Sequence, residues 1–523
     1  MRSNLFKLSA VAATIVASFG ANAALYNVYE YLPADTQAKT YGVAIQPSTA
    51  DCWGAIDCST THTTDEKIAF EEQRYNQGFD YRDEAPFRYT AGFDYLEDNL
   101  TGFDSYCNNY LKYNETACDS WASEQFTNGY EQELNGINNS LAYIESNADR
   151  VYSAKNNVIV NSFASASGDA MGTYYDGDLA KRSIAYEGGT LFDTTGYTQS
   201  KVWSKDGTYS VGSVGKLYSG NDYTSNAVIW DGTSIHKVIG NDSTASGRSI
   251  AQGSARDIAK VLSTVYAVGY SSDGDRRPVA SVFLLDGTKK LVTSYSDSAY
   301  LNSLFTHINS NGIAIGERKH ATGVDGSLAN QLFYITDPAN PNGTVHDFSG
   351  GIFFSGANGK AGAINDHNEV VGQIDYQKHN EIGGGPRAKR AFVTTIGNVS
   401  TSPLKGQSRY LDDLTMGSNA GALATNNQYR IIDATDINDA GVISGTAYFC
   451  SSGYDSESIN STCNGGTPGV EKIVAVKLVP IQGATSSDIQ TRPVDVTKID
   501  RQGGSLGWLA LSLLALLGFR RKQ

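Results

Sequence analysis

The sequence predicts an all-β protein, a repeat-built β-propeller of about seven blades with an acidic, partly helical insertion near the N-terminus. The main observation is a short motif with an Asn or Asp turn, which recurs six times after residue 160 and ends on glycines 40 to 73 residues apart. The second observation is the composition, since the 523 residues include 54 Gly and 31 Tyr while only 18% are charged. Few charges with many glycines and tyrosines are typical of an exported β-rich protein.

The charge balance excludes one class of function. The chain has 41 Lys and Arg against 55 Asp and Glu, a formal net charge of −14. Nucleic acid binding needs clustered basic side chains to neutralise phosphates, so we expect no nucleic acid partner. Hydrophobic residues make up 40% of the chain, which is enough for a large core and excludes a wholly disordered protein.

Residues 1–23 are typical of a secretory signal peptide. Arg2 and Lys7 supply the positive start, Leu8–Phe19 is apolar, and an Ala-x-Ala box ends at Ala23. We therefore expect signal peptidase to cleave after Ala23 and the protein to cross the inner membrane. A permanent transmembrane anchor is the alternative, but the apolar run is short for a membrane span.

Residues 24–50 predict the first propeller strands. Ala24–Tyr31 alternates like a β-strand, and we expect it to pair with the last repeat and close the ring. Tyr41–Ile45 resembles the first half of another repeat, which brings the number of blades to about seven.

Residues 51–150 do not follow the repeat and predict an insertion in the first blade that projects as a cap. They hold 20 Asp and Glu, 6 Lys and Arg, and 17 aromatic residues. The second half of this segment predicts helices, because its apolar residues recur three or four positions apart. The residues with helical spacing are Tyr106, Tyr110, Tyr113, Leu134, Ile137, Leu141 and Ile144.

Two uses of this insertion stay open at this point. Its aromatic side chains pack against the propeller while its acids face water, or the insertion forms a ligand surface. In the second case, aromatic faces take sugar rings, or a repeated Gly-Phe-Asp places Asp80, Asp94 and Asp104 to bind Ca²⁺. No other cofactor is expected.

The cysteines fall into close pairs, and these pairs are Cys52 with Cys58, Cys107 with Cys118, and Cys450 with Cys463. In an oxidising compartment such local pairs predict disulfides, although six cysteines allow about fifteen connectivities. A metal site is the rival interpretation. The sequence contains no Cys-x-x-Cys, and its seven histidines are not near these cysteines at ligand spacing.

Residues 151–482 contain the repeats. The fullest copies are Ala363–Gly372 and Asp436–Gly445, with a third at His307–Gly316. In each copy a strand ends at Ile-Asn, then Asn, Asp or Gly forms the turn, and a β-branched strand ends on the glycine. A third apolar strand and a fourth strand complete the repeat. Four short strands in roughly 40–55 residues indicate a propeller blade, with an array of sandwiches as the structural alternative.

These repeats resemble the HAF-type extracellular repeats of bacteria, whose pattern is close to A-x-x-I-N-x-x-G-x-V-V-G followed by A-F. The copies at 363–372 and 436–445 match this pattern closely. The whole sequence resembles an uncharacterised exported Gram-negative family that carries these repeats. The resemblance implies no established activity.

A linker at residues 483–502 leads to a tail at residues 503–523 with a short transmembrane segment. Gly503, Gly504 and Ser505 precede a 14-residue apolar run, and a basic cluster follows. This order resembles the GlyGly-CTERM sorting tails of Gram-negative bacteria. The resemblance implies cleavage near Gly-Gly by a rhombosortase-type protease and display at, or release from, the cell surface. Without cleavage, the tail is the expected membrane contact and holds the protein in the inner membrane, facing the periplasm.

The motifs of several enzyme classes are missing. The sequence has no G-x-S-x-G elbow, no H-E-x-x-H and no Walker loop, so we name no catalytic residue. We predict a non-enzymatic binding protein for an unidentified extracellular ligand or glycan. The alternative is a secreted propeller hydrolase or lyase that acts on extracellular polysaccharide. Buried carboxylates with shifted pKa values at the central opening would favour the enzyme, whereas a broad aromatic or acidic patch would favour binding.

Overall fold

The structure is a computed structural model. It describes residues 24–32, 39–73, 99–135, 137–138, 140–145, 151–152, 155–165, 167–175, 183–219, 222–242, 251–275, 277–293, 298–397, 403–404, 406–417 and 425–495.

The described residues form a seven-bladed β-propeller, as the sequence predicted. Each blade is a sheet of three or four antiparallel strands, and in each sheet the strands are neighbours in the order in which they occur in the chain. The exception is the last blade, where the first strand of the protein adds to the outside. The blades surround a central channel, so the fold is a closed ring rather than an array of sandwiches.

The strands have the following bounds. The last blade takes its outer strand from the start of the chain, as β1 (Tyr26–Tyr31). Blade 1 consists of β2 (Lys39–Ile45), β3 (Ile68–Gln73) and β4 (Ser140–Ile144). Blade 2 consists of β5 (Asn156–Phe163), β6 (Ala170–Tyr175), β7 (Ile184–Glu187) and β8 (Thr190–Leu191). Blade 3 consists of β9 (Gln199–Asp206), β10 (Tyr209–Ser219), β11 (Asp222–Asp231) and β12 (Ser234–Ile239).

The remaining blades continue this order. Blade 4 consists of β13 (Gly253–Val261), β14 (Thr264–Ser272), β15 (Pro278–Leu284) and β16 (Lys289–Leu291). Blade 5 consists of β17 (Tyr300–Ile308), β18 (Ala314–His320), β19 (Asn330–Ile335) and β20 (Val345–Asp347). Blade 6 consists of β21 (Gly359–Ile364), β22 (Glu369–Asp375), β23 (Lys389–Thr395) and β24 (Arg409–Tyr410). Blade 7 consists of β25 (Tyr429–Ile437), β26 (Ile443–Phe449), β27 (Lys472–Pro480) and β1.

The ring closes through the first strand of the protein. β1 pairs antiparallel with β27, from Tyr26 opposite Pro480 to Tyr31 opposite Ala475, which confirms the predicted pairing. The side chain of Asn426 supports β1, because it accepts from Val28 N at 3.2 Å and donates to Tyr26 O at 2.9 Å. Both ends of the propeller therefore complete one sheet.

A buried ion pair links blade 7 to blade 1 beside this closure. Lys477 of β27 is fully buried, and its Nζ lies 2.5 Å from Glu145 Oε2. The same ammonium donates to the carbonyls of His62 and of Glu66, the latter at 3.1 Å. Tyr31 Oη donates to the other oxygen of Glu145 at 2.5 Å. Every polar atom of this pair thus has a partner, which buried charges require.

The motif glycines lie inside strands rather than at their ends, so the predicted strand end at glycine is wrong. A Cβ at Gly269 would lie 2.0 Å from Ser254 O, and one at Gly316 would lie 2.1 Å from Leu304 O. At these levels the first strand of the blade bulges by one residue toward its neighbour. The glycine makes room for the bulge, and the strand then continues.

The insertion between β3 and β4 is helical in part. It contains α1 (Asn99–Tyr106), a π-helical turn at Cys107–Leu111, α2 (Glu115–Ala122), a π-helical turn at Ser123–Tyr130 and α3 (Glu131–Leu134). A last short helix in blade 6 is α4 (Leu411–Leu414), and single 3₁₀ turns occur at Pro341–Gly343, Asn464–Gly466 and Ser486–Asp488.

The helix expected through Leu141 and Ile144 is wrong, because these residues lie in β4. Ile144 pairs with Ala69 of β3, and Leu141 pairs with Glu72. The free edge of β3 supplies backbone hydrogen bonds along the whole segment, and this tertiary pairing overrides a spacing that also fits a helix. Residues 51–150 therefore supply two strands of blade 1 as well as the helices.

The three predicted disulfides are confirmed. They join Cys52 to Cys58, Cys107 to Cys118, and Cys450 to Cys463. Each closes a local loop of 6 to 13 residues in the sequence.

Several predictions lie outside the described residues. These are the signal peptide with Ala23, the tail with Gly503, Gly504 and Ser505, and the acidic residues Asp80 and Asp94. Among the residues that the structure does describe, no helix is long and apolar enough to span a bilayer.

Candidate functional site

The central channel is the candidate site. It encloses a cavity of about 1520 Å³ that is lined by the first strand of every blade, namely β2, β5, β9, β13, β17, β21 and β25. Small-molecule sites usually measure about 300–1,000 Å³, so this cavity has room for an extended ligand.

One irregularity in each first strand, called the bulge level below, places a ring of residues in the channel wall. At this level the first strand has a residue without a partner on the second strand, or two residues in blade 6, and these residues line the cavity. They are Val43, Asn161, Trp203, Arg256, Thr306, Gly362 with Ala363, and Thr435. Bulges change the direction of side chains, so each blade contributes its own residue to the channel wall at this level.

The turn motif lines the end of the channel where the first strands finish. Asn309 donates to Asn365 O at 2.9 Å, Asn365 to Asn438 O at 3.1 Å, and Asn438 to Gln46 O at 2.9 Å. This asparagine belt joins blades 5, 6, 7 and 1. The amide oxygen of each Asn accepts a backbone N–H of its own turn, for example Ile313 N at 3.0 Å. The recurring Asn is therefore a structural link between blades.

Two aspartates near the bulge level also join blades. Asp257 accepts Ile308 N of blade 5 at 2.8 Å, and Asp436 accepts Ile45 N of blade 1 at 2.9 Å. The second oxygen of each accepts the next backbone N–H in its own strand at 2.9 Å. Burial raises the pKa of both carboxyl groups, while nearby His307 and these hydrogen bonds act in the opposite direction.

The insertion covers the opposite end of the channel. Its aromatic core of Phe103, Tyr106, Phe126 and Tyr130 packs on residues of blades 4 and 5. Those propeller residues include Leu304, in the middle of β17, and Leu301, near its beginning. The insertion therefore forms a cap, defined here as residues 99–135. Its aromatic side chains pack against the propeller, which is the first of the two uses considered from the sequence.

Backbone hydrogen bonds tie the cap to blade 6. Asn114 N donates to Gly384 O, and Gly383 N donates to Lys112 O, both at 2.8 Å. Asn114 also caps α2, since its side chain accepts Ala117 N at 2.9 Å. The Cys107–Cys118 disulfide closes the loop between these contacts, so the cap is held at a defined place.

Cap side chains form the roof of the cavity. They are Tyr113, Ala117, Ser120, Trp121, Glu124 and Gln125. Trp121 stacks on Tyr106 with ring centroids 5.5 Å apart. In the wall below, the Arg256 guanidinium lies 3.9 Å from the Trp203 ring centroid. Both indoles are thus fixed by neighbours while they line the channel.

Of the three aspartates predicted to bind Ca²⁺, the structure describes only Asp104. Asp104 accepts the Asn108 side chain at 3.0 Å in the cap. Among the described residues, Cys52, Cys58 and Glu66 come close enough to share an ion. Both cysteines are disulfide-bonded, so their sulfurs are not thiolate ligands.

The channel residues themselves were not identified from the sequence. Trp203 lies nine residues before a motif glycine, and Thr306, Gly362 and Thr435 each lie ten residues before one. This spacing is the signal that could have found them. It becomes interpretable once the bulge opposite the glycine is known.

Comparisons with known proteins identify a family. A family described as "Protein of unknown function (DUF3466)" matches residues 181–522. No curated protein matches the sequence.

Among solved structures, a putative TolB from Agrobacterium tumefaciens is 9% identical with a TM-score of 0.33, over 65% of this chain and 94% of that one. TolB from Acinetobacter baumannii is 10% identical with a TM-score of 0.29, over 60% and 65%. One of two prolyl endopeptidases is 13% identical with a TM-score of 0.32, over 66% of this chain and 43% of that one.

Proposed function

The chain belongs to the DUF3466 family of proteins of unknown function, and we propose that it is an exported binding protein without catalytic activity. The observation that carries this proposal is the capped channel. All seven blades line one cavity of about 1520 Å³, and a disulfide-closed cap covers it. A rigid, roofed cavity with mixed aromatic and polar walls is suited to holding a ligand.

Export is supported by the cysteines. All six form disulfides, which persist in oxidising compartments outside the cytoplasm. We extend the proposal to processing at both ends, with cleavage after Ala23 and near Gly503 and Gly504. The product is then displayed at the cell surface or released from it.

One observation favours the alternative, a secreted hydrolase or lyase. Asp257 and Asp436 lie in the channel wall and have raised pKa values, as the general acid of a glycosidase requires. However, both oxygens of each carboxylate already accept backbone N–H groups, two of them from neighbouring blades. A carboxylate held in this way joins blades and has little freedom to deliver a proton, so the geometry favours binding.

A retention assay tests the proposal. The purified exported protein is immobilised, and extracellular polymers and oligosaccharides of the producing cells are passed over it. Ala117→Trp fills the cavity beneath the cap, and Leu100→Trp is the matched control because Leu100 is 44% exposed on α1, away from the cavity. Ligand retained by the natural protein and by the control, but not by Ala117→Trp, supports the proposal.

The same assay can overturn it. If none of the three proteins retains any ligand, the channel is not a binding site for these polymers and the proposal fails. If mass spectrometry of the eluate shows shortened chains or unsaturated ends, the protein is an enzyme and the alternative replaces the proposal.

Protease shaving of intact cells tests the sorting step. An epitope after Ala24 is followed in the natural protein and in a variant with Gly503→Val and Gly504→Val. We expect the natural protein to be shaved or released while the variant stays inside the envelope. Equal protection of both would show that the tail is a permanent anchor.

A further inference from the structure

The part of the channel from the bulge level to the cap contains three amide side chains that hydrogen bonds fix to the wall. Asn161 Nδ2 donates to Val202 O at 2.6 Å, and Gln373 Nε2 donates to Ile432 O at 2.8 Å. Gln377 Oε1 accepts Ala388 N at 3.0 Å. All three side chains line the cavity. One polar atom of each amide is thus hydrogen-bonded to the channel wall, and that bond fixes the orientation of the other polar atom.

The second atom of each amide is available to a ligand. Asn161 Oδ1 and Gln373 Oε1 can accept hydrogen bonds, and Gln377 Nε2 can donate two. Within the described part of the chain, these atoms have no hydrogen bond and are not among the buried polar atoms without a partner. They are therefore in contact with the open space that they line. A wall-fixed amide loses little conformational entropy when it binds a ligand.

Five charged side chains that line the cavity are already engaged by the protein. Lys201, Lys360 and Asp433 each have an interaction within the chain, and so do Arg256 and Glu124. A charged ligand would have to compete with these contacts and would meet side chains of both signs. An uncharged ligand with many hydroxyl groups satisfies the amides without disturbing the charges.

Aromatic rings complete the site. Trp121 lines the roof and Trp203 lines the wall, and each ring is held in place by a stacked neighbour. Flat aromatic faces pack on the apolar C–H faces of sugar rings, while amides bind the hydroxyl groups at their edges. The cavity of about 1520 Å³ exceeds the size of a typical small-molecule site, so it fits several linked sugar units.

We infer that the channel beneath the cap binds a neutral oligosaccharide, with Asn161, Gln373 and Gln377 as hydrogen-bonding residues and Trp121 and Trp203 as stacking residues. This inference rests on the proposed binding function and names the class of its ligand.

Calorimetric titration of the full exported protein tests the inference. The probes are neutral hexasaccharides (malto-, cello-, xylo- and chito-hexaose) and, for charge, hexagalacturonate. We expect at least one neutral probe to bind. Gln373→Ala and Asn161→Ala should each weaken that binding about three- to tenfold, because each removes one neutral hydrogen bond. Gln482→Ala is the matched control, since Gln482 bonds Gly54 O at 3.0 Å in an exposed loop and does not line the cavity.

The outcomes separate the inference from the function on which it rests. A neutral probe whose affinity falls in both channel variants, but not in the control, supports the inference. Preferential binding of hexagalacturonate overturns it, and so does binding that none of the channel variants changes. If no sugar binds while the retention assay still captures another extracellular polymer such as a peptide, the ligand class is wrong and the binding function stands. If neither the titration nor the retention assay detects binding, both the inference and the proposed binding function are wrong.

Discussion

The buried Lys477–Glu145 pair at the ring closure provides the sharpest test of how this fold is stabilised. Lys477→Met keeps the length of the side chain but leaves Glu145 buried without its cation. Removing one partner of a buried pair costs about 3–5 kcal/mol. Glu145 would keep hydrogen bonds from Tyr31 Oη at 2.5 Å and Ile68 N at 3.2 Å, so we expect the lower end, about 3 kcal/mol.

This free energy converts to a measurable shift in melting temperature. The entropy of unfolding is about 2.1 cal/mol/K per residue, and roughly 470 residues separate Ala24 from Asp495. A loss of about 3 kcal/mol therefore lowers the melting temperature by about 3 °C. Differential scanning calorimetry at fixed scan rate measures it. Lys472→Met is the matched control, because Lys472 lies exposed on the same strand and its loss should cost less than about 0.5 kcal/mol.

A double-mutant cycle then decides whether the pair acts as a unit. Glu145→Gln alone leaves the buried ammonium with the carbonyls of His62 and Glu66. In the double variant Lys477→Met with Glu145→Gln, no unpaired charge stays buried, so the loss should be smaller than the sum of the single losses. Strictly additive losses, or a Lys477→Met melt equal to that of Lys472→Met, would refute the reasoning.

Three further predictions concern pH, packing and the cap. Burial, and to a lesser extent Lys477, lower the pKa of His62 to about 4, below its usual 6.5. The stability that neutral His62 contributes is therefore complete above pH 6.5 and is lost as the pH falls toward 4. The loss is about 1–2 kcal/mol once partial exposure of the ring is allowed for, and thermal melts of His62→Phe should show that much less pH dependence. Gly269→Ala should lower the free energy of unfolding in urea by about 1–3 kcal/mol, because the added Cβ would lie 2.0 Å from a carbonyl oxygen. Gly274→Ala is the control, because a Cβ at Gly274 would have no atom within 4 Å. Replacing Cys107 and Cys118 by Ser removes a constraint of about 3 kcal/mol and should increase hydrogen exchange in the cap.

Each of these predictions has a contradicting result. An unchanged pH dependence in His62→Phe would show that other groups carry the acid sensitivity. Equal stability of Gly269→Ala and Gly274→Ala would mean that the bulge relaxes around a methyl group. If exchange rises throughout the propeller when the cap disulfide is removed, the cap is part of the cooperative core rather than a separate unit.

Local patterns were readable from the sequence because their causes are local. The turn motif requires a left-handed residue, and Gly312 and Gly441 have φ of +81° and +77° as expected. The strand at Ala24–Tyr31 could be assigned to the last blade because a ring of repeats needs a closing strand. The disulfides followed from short spacing in an exported chain.

Other features could not be predicted, because their partners are distant in the chain. Leu141 and Ile144 fit a helical spacing, and only the neighbouring edge of β3 makes them a strand. The glycine at the end of the motif proved to face a bulge in the preceding strand, which no single strand reveals. Lys477 and Glu145 are 332 residues apart, so their pairing depends on closure of the ring.

The sequence by itself determined the repeat, its turns, the closing strand, the local disulfides and the expectation of export, since each depends on residues a few positions apart or on composition. Only the tertiary structure decided the channel, its cap and the set of amides and indoles that face one cavity. Asn161, Trp203 and Gln373 come from different blades, and they meet because seven sheets of similar shape curve into a ring. Burying both faces of every blade drives that closure, and the site is formed by the packing of blades rather than by any one segment of the chain.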